Sequence, residues 1–202
     1  MTNLQKRILT SLIALPLSIF FIVKGGYFLL FFLIFILFAG IHELLNVFKK
    51  VSTKLILSLL LILSLYSIYY IDQNNPILLY FIIVISVSTD IGGYTFGKIF
   101  KWKKLSKISP KKTISGVFGS YLCSIISFFI FNNFYLIGKA EFILAIIFST
   151  VAQVGDLTVS YFKRKEKIKD TGKILPGHGG IFDRIDGLMF VAIIGFFVVK
   201  LS

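Results

Sequence analysis

Six of the chain's nine acidic residues lie in two stretches that also carry much of its positive charge, residues 90–116 and 155–187. These six are Asp90, Asp156, Glu166, Asp170, Asp183 and Asp186. A basic loop that only attracts anionic headgroups gains nothing from carboxylates among its cations. A site for a metal–nucleotide complex needs both, because carboxylates hold Mg²⁺ while Lys and Arg neutralise the remaining phosphate oxygens. The two stretches therefore predict chemistry on phosphates.

Asp90 and Asp156 each follow an apolar run, residues 77–87 and 142–154 respectively. An ionised group near membrane depth is costly, and by default it is functional or paired. The alternative for either residue is a helix cap or an ion pair with a nearby lysine. We interpret both as site residues.

The second stretch contains three glycines around one histidine, in the run Pro176-Gly177-His178-Gly179-Gly180. A glycine-rich backbone can approach a phosphate closely and turn its N–H groups toward it. Such a loop alone is a weak indication of phosphate binding, and it gains weight from the charged residues that follow it.

Those charged residues are Asp183, Arg184 and Asp186. On a helix that begins near Phe182, the two aspartates share a face and Arg184 points away from it. Carboxylates at the start of a helix also suit its dipole, which offers a purely structural alternative to a metal site.

The first stretch contains the run Ser109-Pro110-Lys111-Lys112-Thr113. Pro110 predicts a turn, and the two lysines and two hydroxyls around it can face an anion. Taken alone, a lysine cluster of this kind is more typical of a patch that attracts lipid headgroups.

The elements that must position these residues are membrane helices. The chain is 56% hydrophobic with a mean hydropathy of +0.89. We predict an all-α, single-domain membrane protein, residues 1–202, because a soluble domain needs more polar surface. Seven runs are candidate spans: residues 8–23, 27–47, 55–71, 77–94, 117–136, 142–159 and 188–201. A signal peptide would explain only the first run. Cys123, the single cysteine, lies inside an apolar run and predicts neither a disulfide nor a cysteine metal site.

The net charge of +13 is concentrated between the apolar runs, which favours membrane lipids or a phosphorylated substrate over nucleic acid as the partner. With seven spans and a cytoplasmic N-terminus, 19 of the 22 Lys and Arg residues fall on the cytoplasmic side. Only Lys24, Lys139 and Lys200 fall outside. Cytoplasmic loops carry such an excess, so we expect both charged stretches on the cytoplasmic face of the inner or plasma membrane.

The stretch from Ser160 to Asp186 resembles the phosphatidate cytidylyltransferase (CDP-diacylglycerol synthase) family in every position that the family's signature specifies. Those positions are Ser160, Phe162, Lys163, Arg164, Lys169, Asp170, Gly172, Leu175, Pro176, His178, Gly179, Gly180, Ile181, Asp183, Arg184, Ile185 and Asp186. Asp90, Tyr94, Gly97 and the 108–116 segment also resemble a second conserved block of the family. Ile114-Ser115 departs from the usual Trp-Glu, and Gly93 replaces a usual Ala. The resemblance is strongest over residues 85–202.

The resemblance implies that CMP passes from CTP to phosphatidate, giving CDP-diacylglycerol and pyrophosphate, with Mg²⁺ as cofactor. It implies that Asp156 and Asp183 hold the metal. It also implies catalytic roles for Lys169, Arg184, Asp186 and His178, and substrate binding by Ser109, Lys111, Lys112, Thr113, Ser160 and Asp90. His178 either orients a phosphate or keeps the glycine loop in shape. A second cation and a homodimer are left open.

Two other functions are compatible with part of the pattern. A CTP-dependent kinase of polyprenols or phytol would use similar chemistry, but the complete signature argues against it. A transporter or a protein that binds anionic lipids would explain the spans and basic loops, but not the concentration of carboxylates. Labelled CTP separates the three, because it should yield a lipid-linked CMP, a γ-labelled phospholipid or no product.

Overall fold

The computed structural model describes residues 3–106, 108–135, 138–172, 174–177 and 179–201. Within these ranges the chain forms seven α-helices and two isolated β-bridges. The helices are α1 (Asn3–Lys24), α2 (Gly26–Val47), α3 (Val51–Asn74), α4 (Pro76–Phe100), α5 (Ile114–Tyr135), α6 (Lys139–Lys165) and α7 (Phe182–Leu201). The prediction of an all-α polytopic membrane protein is confirmed.

Within the described residues, each predicted apolar run lies in its own helix, and six helices, α1 to α6, are long and apolar enough to cross a membrane. The seventh, α7, carries Asp183, Arg184 and Asp186 in its first two turns, which shortens its apolar part. The helices extend beyond several of the runs. Asp90 and Asp156 therefore lie inside α4 and α6 rather than at their ends, since a helix continues into polar residues when these line a cavity or meet water.

Helices α4 and α5 pack closely against each other, because small residues line their contact. A Cβ added to Gly92 would lie 2.2 Å from the Gly119 carbonyl oxygen, so this pair cannot accept larger residues without separating. Next to it, the buried Thr89 hydroxyl bonds those of Ser124 and Ser149, at 3.0 Å each. These hydroxyl contacts join α4 to α5 and α6, three of the helices that line the site.

The outer surface of the bundle is apolar. Large exposed hydrophobic side chains occur on each of the seven helices, for example Leu12, Phe38 and Phe118. Such a surface is unfavourable in water and suits a bilayer, where packing and internal hydrogen bonds hold the helices together.

The two charged segments lie at the same end of the bundle. The Arg7 side chain of α1 donates to the Gly177 carbonyl at 2.8 Å, and the Thr10 hydroxyl donates to the Pro176 carbonyl at 2.9 Å. Arg164 in turn donates to the Ile108 carbonyl at 3.3 Å. The first helix and both connecting segments therefore meet on one face, as the alternation of spans predicts.

Candidate active site

A cavity of about 420 Å³ opens at this end of the bundle, between α4, α5, α6, α7 and the turn before α5. Nine of the predicted site residues line it: Asp90, Ser109, Lys111, Lys112, Thr113, Asp156, Asp183, Arg184 and Asp186. The fold thus gathers residues from four helices and a turn around one space, although the sequence separates the outermost of them by almost half its length.

The turn before α5 has the form that Pro110 predicts. The Lys112 amide donates to the Ser109 carbonyl at 3.0 Å, which closes a four-residue turn with proline at its second position. The Leu105 amide donates to the Lys112 carbonyl at 2.8 Å, so a short antiparallel pairing supports the turn. At its end, the Thr113 hydroxyl accepts from the Gly116 amide at 3.1 Å and caps α5. The turn is thereby held against the cavity.

Lys112 connects this turn to α6. Its ammonium lies 2.7 Å from a carboxylate oxygen of Asp156 and 3.3 Å from the Gln153 carbonyl oxygen. The other Asp156 oxygen accepts from the Ser160 hydroxyl at 3.3 Å, one helical turn further along α6. Ser160 thus lies behind Asp156 and is not among the residues that line the cavity.

The second ion-pair group centres on Lys163, whose buried ammonium lies 2.9 Å from Asp183 and 3.8 Å from Asp186. The other oxygen of Asp183 accepts from the amides of Thr171 at 2.8 Å and Gly180 at 3.3 Å. The contact of both aspartates with one ammonium confirms that they share a face of α7. Asp183 consequently ties α7, α6 and the intervening segment together.

Arg184 differs from its prediction. It lines the same cavity as Asp183 and Asp186, so the expectation that it points away from them is wrong. The angle of about 100° between successive helical residues separates their Cβ atoms. However, a long arginine side chain can still reach a cavity that is open on one side.

Three other predicted parts of the site, Lys169, His178 and the glycine loop, are not seen to line the cavity as predicted. Lys169 lines a neighbouring recess of about 560 Å³, together with His42 and Glu43. His178 lies outside the described residues. Two amides of the glycine loop bond within the protein instead of facing a phosphate as predicted: the Gly179 amide donates to the Leu175 carbonyl at 3.1 Å, and that of Gly180 donates to Asp183. Glycine serves the turn itself here, since Gly177 and Gly179 have φ of 78° and 91°.

The carboxylates of the cavity form a donor set that can be compared with the ligands that Mg²⁺ prefers. The cavity is lined by five of them, including Asp90 and Asp170, and Asp156 is within Coulombic range of both Asp90 and Asp186. Among the described residues, however, no three His, Cys, Asp or Glu side chains form a metal cage. Mg²⁺ does not need one, because it commonly takes one or two carboxylates together with substrate phosphates and water. The donor set fits an ion that arrives with a polyphosphate.

Several residues that line the cavity are not among the predicted site residues. Lys163 and Asp170 belong to the quoted signature but received no role, and Thr89 and Gln153 lie within apolar runs. Lys163 follows the apolar run 142–159 closely. An ionisable residue near membrane depth usually has a partner, which could have indicated a role for Lys163. The signal for Gln153 was an amide inside an apolar helix.

Comparison with known proteins adds an independent finding. A family model described as "Cytidylyltransferase family" matches residues 46–202. The phosphatidate cytidylyltransferase of Rickettsia felis is 36% identical over 97% of this chain and 92% of its own length. That of Rickettsia typhi is 41% identical over 76% of this chain and 68% of its own length. That of Staphylococcus saprophyticus is 47% identical over 51% of this chain and 41% of its own length. The residues that the family model matches include the helices that line the cavity.

Proposed function

The chain belongs to the cytidylyltransferase family, and we propose that it is a phosphatidate cytidylyltransferase, which converts CTP and phosphatidate into CDP-diacylglycerol and pyrophosphate. The observation that carries the proposal is the cavity, in which five carboxylates and four cationic side chains meet at one end of a membrane bundle. A lipid phosphate and a soluble nucleotide can meet at such a place.

The reaction joins two polyanions. A phosphate oxygen of phosphatidate attacks the α-phosphorus of CTP, and the bond from that phosphorus to the oxygen bridging to the β-phosphate breaks. The electron pair leaves with pyrophosphate. The attacking phosphate is already ionised near neutral pH, so the chain need not supply a general base. The barrier is mainly charge repulsion and misalignment, which cations and positioning reduce.

Lys111, Lys112 and Arg184 supply the cations. Lys111 is exposed at the rim of the cavity, where it can meet incoming phosphate. Lys112 is half-buried and paired with Asp156, which holds its ammonium in place before substrate arrives. Ser109 and Thr113 add hydroxyl groups on the same turn. Preorganised charges of this kind stabilise the charge that moves to the leaving group without having to reorient.

We include Mg²⁺ in the proposal, held by Asp156 and Asp183 with the help of Asp186. When bound, the ion supplies positive charge to the phosphate oxygens and orients them. Each of the two aspartates has a lysine beside it, Lys112 and Lys163 respectively. These lysines offset the repulsion between the carboxylates in the absence of metal. The Lys112 ammonium has three N–H donors, so it can contact a substrate phosphate without leaving Asp156.

We further propose that the cavity faces the cytoplasm, where CTP is present. The concentration of Lys and Arg at the cavity end of the bundle supports this orientation. Cysteine introduced at Lys104 or Lys167, in the protein with Cys123 replaced by Ser, should react with an impermeant thiol reagent only when the cytoplasmic side is accessible. Labelling of either position from the outer side would contradict the orientation.

The activity is tested with purified protein, phosphatidate vesicles, Mg²⁺ and CTP labelled at either the α- or the γ-phosphate. We expect α-label in a lipid product and γ-label in pyrophosphate. A γ-labelled phospholipid would instead indicate a CTP-dependent lipid kinase. If neither form of labelled CTP gives a labelled lipid, a transporter or a lipid-binding protein is favoured. Protein with Asp156→Asn serves as the matched negative control.

A further inference from the structure

Glu43 is a buried carboxylate outside the stretches in which the sequence locates the chemistry. It lies near the cavity end of α2, and only 3% of its surface is exposed. Its two oxygens accept from the amides of Ile181 and Phe182, each at 3.0 Å. The hydroxyl of Thr171 lies 3.5 Å from one of them. A charged acceptor on two amides at a helix start is strongly held, because hydrogen bonds to charged groups are roughly twice as strong as neutral ones.

The contacts of Glu43 lie directly beside cavity residues. Phe182 precedes Asp183 and Arg184, and Thr171 follows Asp170. The Thr171 amide donates to Asp183, while the Thr171 side chain faces Glu43. Two carboxylates therefore hold Thr171, in the segment between α6 and α7: Asp183 contacts it on the cavity side, and Glu43 contacts it on the side away from the cavity.

Two glycines of the family signature, Gly172 and Gly180, pack directly against the Glu43 carboxylate. A Cβ at Gly172 would lie 2.4 Å from one Glu43 oxygen, and a Cβ at Gly180 would lie 2.5 Å from the other. Both distances are far shorter than van der Waals contact. The small residues at these two positions make room for the Glu43 carboxylate, although Glu43 is over 120 residues away in the sequence.

We propose that Glu43 is a positioning residue for the transferase site: it fixes the start of α7 and the 171–172 backbone, and through them it sets Asp170, Asp183 and Arg184 in the cavity. This proposal rests on the proposed function. Glu43 lines the neighbouring recess and not the reaction cavity itself, so it acts through the residues it holds.

The first test compares Glu43→Gln with Asp72→Asn. Asp72 is the matched control, since it is also a buried carboxylate that accepts from the first amide of a helix, that of Gly26 at 2.8 Å, but at the opposite end of the bundle. In Glu43→Gln the new NH₂ group must face one of two amide donors. We expect kcat to fall about 10–100-fold, the loss typical when partners that orient site ligands are removed. The KM for CTP should change much less.

Hydrogen exchange separates positioning from general destabilisation. In Glu43→Gln, exchange at Ile181 and Phe182 should accelerate, while Asp72→Asn should accelerate it only at Gly26 and leave kcat per folded molecule within about threefold of wild type. The proposal is overturned if Glu43→Gln keeps kcat within that range, or loses activity only in proportion to its unfolded fraction. If wild-type protein forms no CDP-diacylglycerol, the proposed function fails, whereas the exchange result still decides the role of Glu43.

A second pair of variants covers the case in which Glu43→Gln does not fold. Gly172→Ala places a methyl group against the carboxylate, and Glu43→Asp shortens that side chain by one methylene while keeping its charge. We expect the double variant to be at least about tenfold more active than Gly172→Ala alone, because contacting residues couple. A double variant no more active than the single one would overturn the proposal.

Discussion

Replacement of Lys163 by methionine should destabilise the protein much more than the same replacement of Lys112. Lys163 is 7% exposed and lies 2.9 Å from Asp183 and 3.8 Å from Asp186. Lys112 also pairs with an aspartate, at 2.7 Å, but the side chains of that pair are 26% and 29% exposed. Methionine keeps much of the aliphatic stem, so the comparison isolates the ammonium group.

The magnitude follows from burial. At an effective dielectric constant of about 20, the attraction of Lys163 to its two partners amounts to about 6 and 4 kcal/mol. The desolvation of each buried ion, several kcal/mol, offsets much of this. Without the ammonium, two buried carboxylates remain beside one another, and breaking a buried pair in this way costs about 3–5 kcal/mol. For Lys112, water can replace the lost partner, so we expect about 1–2 kcal/mol.

Unfolding of the purified variants in detergent, followed by helical circular dichroism, measures both values. Addition of Asp186→Asn to Lys163→Met should recover part of the lost stability, because it removes one of the two unpaired charges. Lys112→Met should remain folded and yet lose transferase activity. If Lys163→Met were as stable as Lys112→Met, the pairing of Lys163 with the two aspartates would not contribute to stability through burial.

Three further predictions concern the cavity and its surroundings. Lys111→Ala should lower kcat/KM at least about tenfold without a change in unfolding midpoint, since exposed cations add little stability. If the variant keeps wild-type kinetics, the turn at Pro110 only attracts lipid headgroups. Asp156→Asn should abolish CDP-diacylglycerol formation in folded protein, and near-normal activity with unchanged Mg²⁺ dependence would remove it from the metal site. Desolvation acts to raise the pKa of Glu166, but hydrogen bonds led by the Lys49 amide outweigh it and hold that pKa below the ordinary glutamate value. These hydrogen bonds add to the free energy of unfolding above the unfolded-state pKa of Glu166, and this contribution is lost as the pH falls through the folded-state pKa. The free energy of unfolding of Glu166→Gln should therefore fall less than that of the wild type between these two pH values.

Much of the architecture follows from the sequence because the bilayer imposes it. Apolar runs must become helices there, and alternation of spans then places the loops on alternate sides. This is why residues as distant as Ser109 and Asp183 could be assigned to one face. The turn at Pro110 was also predictable, since proline fixes the local dihedral angle.

The contacts within the site could not be read in the same way. Asp183 was expected to serve metal, but its pairing with Lys163 and its two backbone donors depend on how α6 and α7 pack. Glu43 lies in an apolar helix without a local partner in sequence. Its partners are 138 and 139 residues away, so no local pattern could indicate them.

The distance between Glu43 and its partners has a consequence for biosynthesis. Helices enter the membrane in order, so α2 is inserted long before residues 181 and 182 have been made. Until then the Glu43 carboxylate lies near the bilayer without the amides that later donate hydrogen bonds to it, and this is costly for an ionised group. The contact of Arg7 with Gly177, 170 residues apart, must form equally late. The bundle can therefore complete its packing only after the seventh helix arrives, and a chain interrupted before residue 181 carries an uncompensated charge that a completed chain does not.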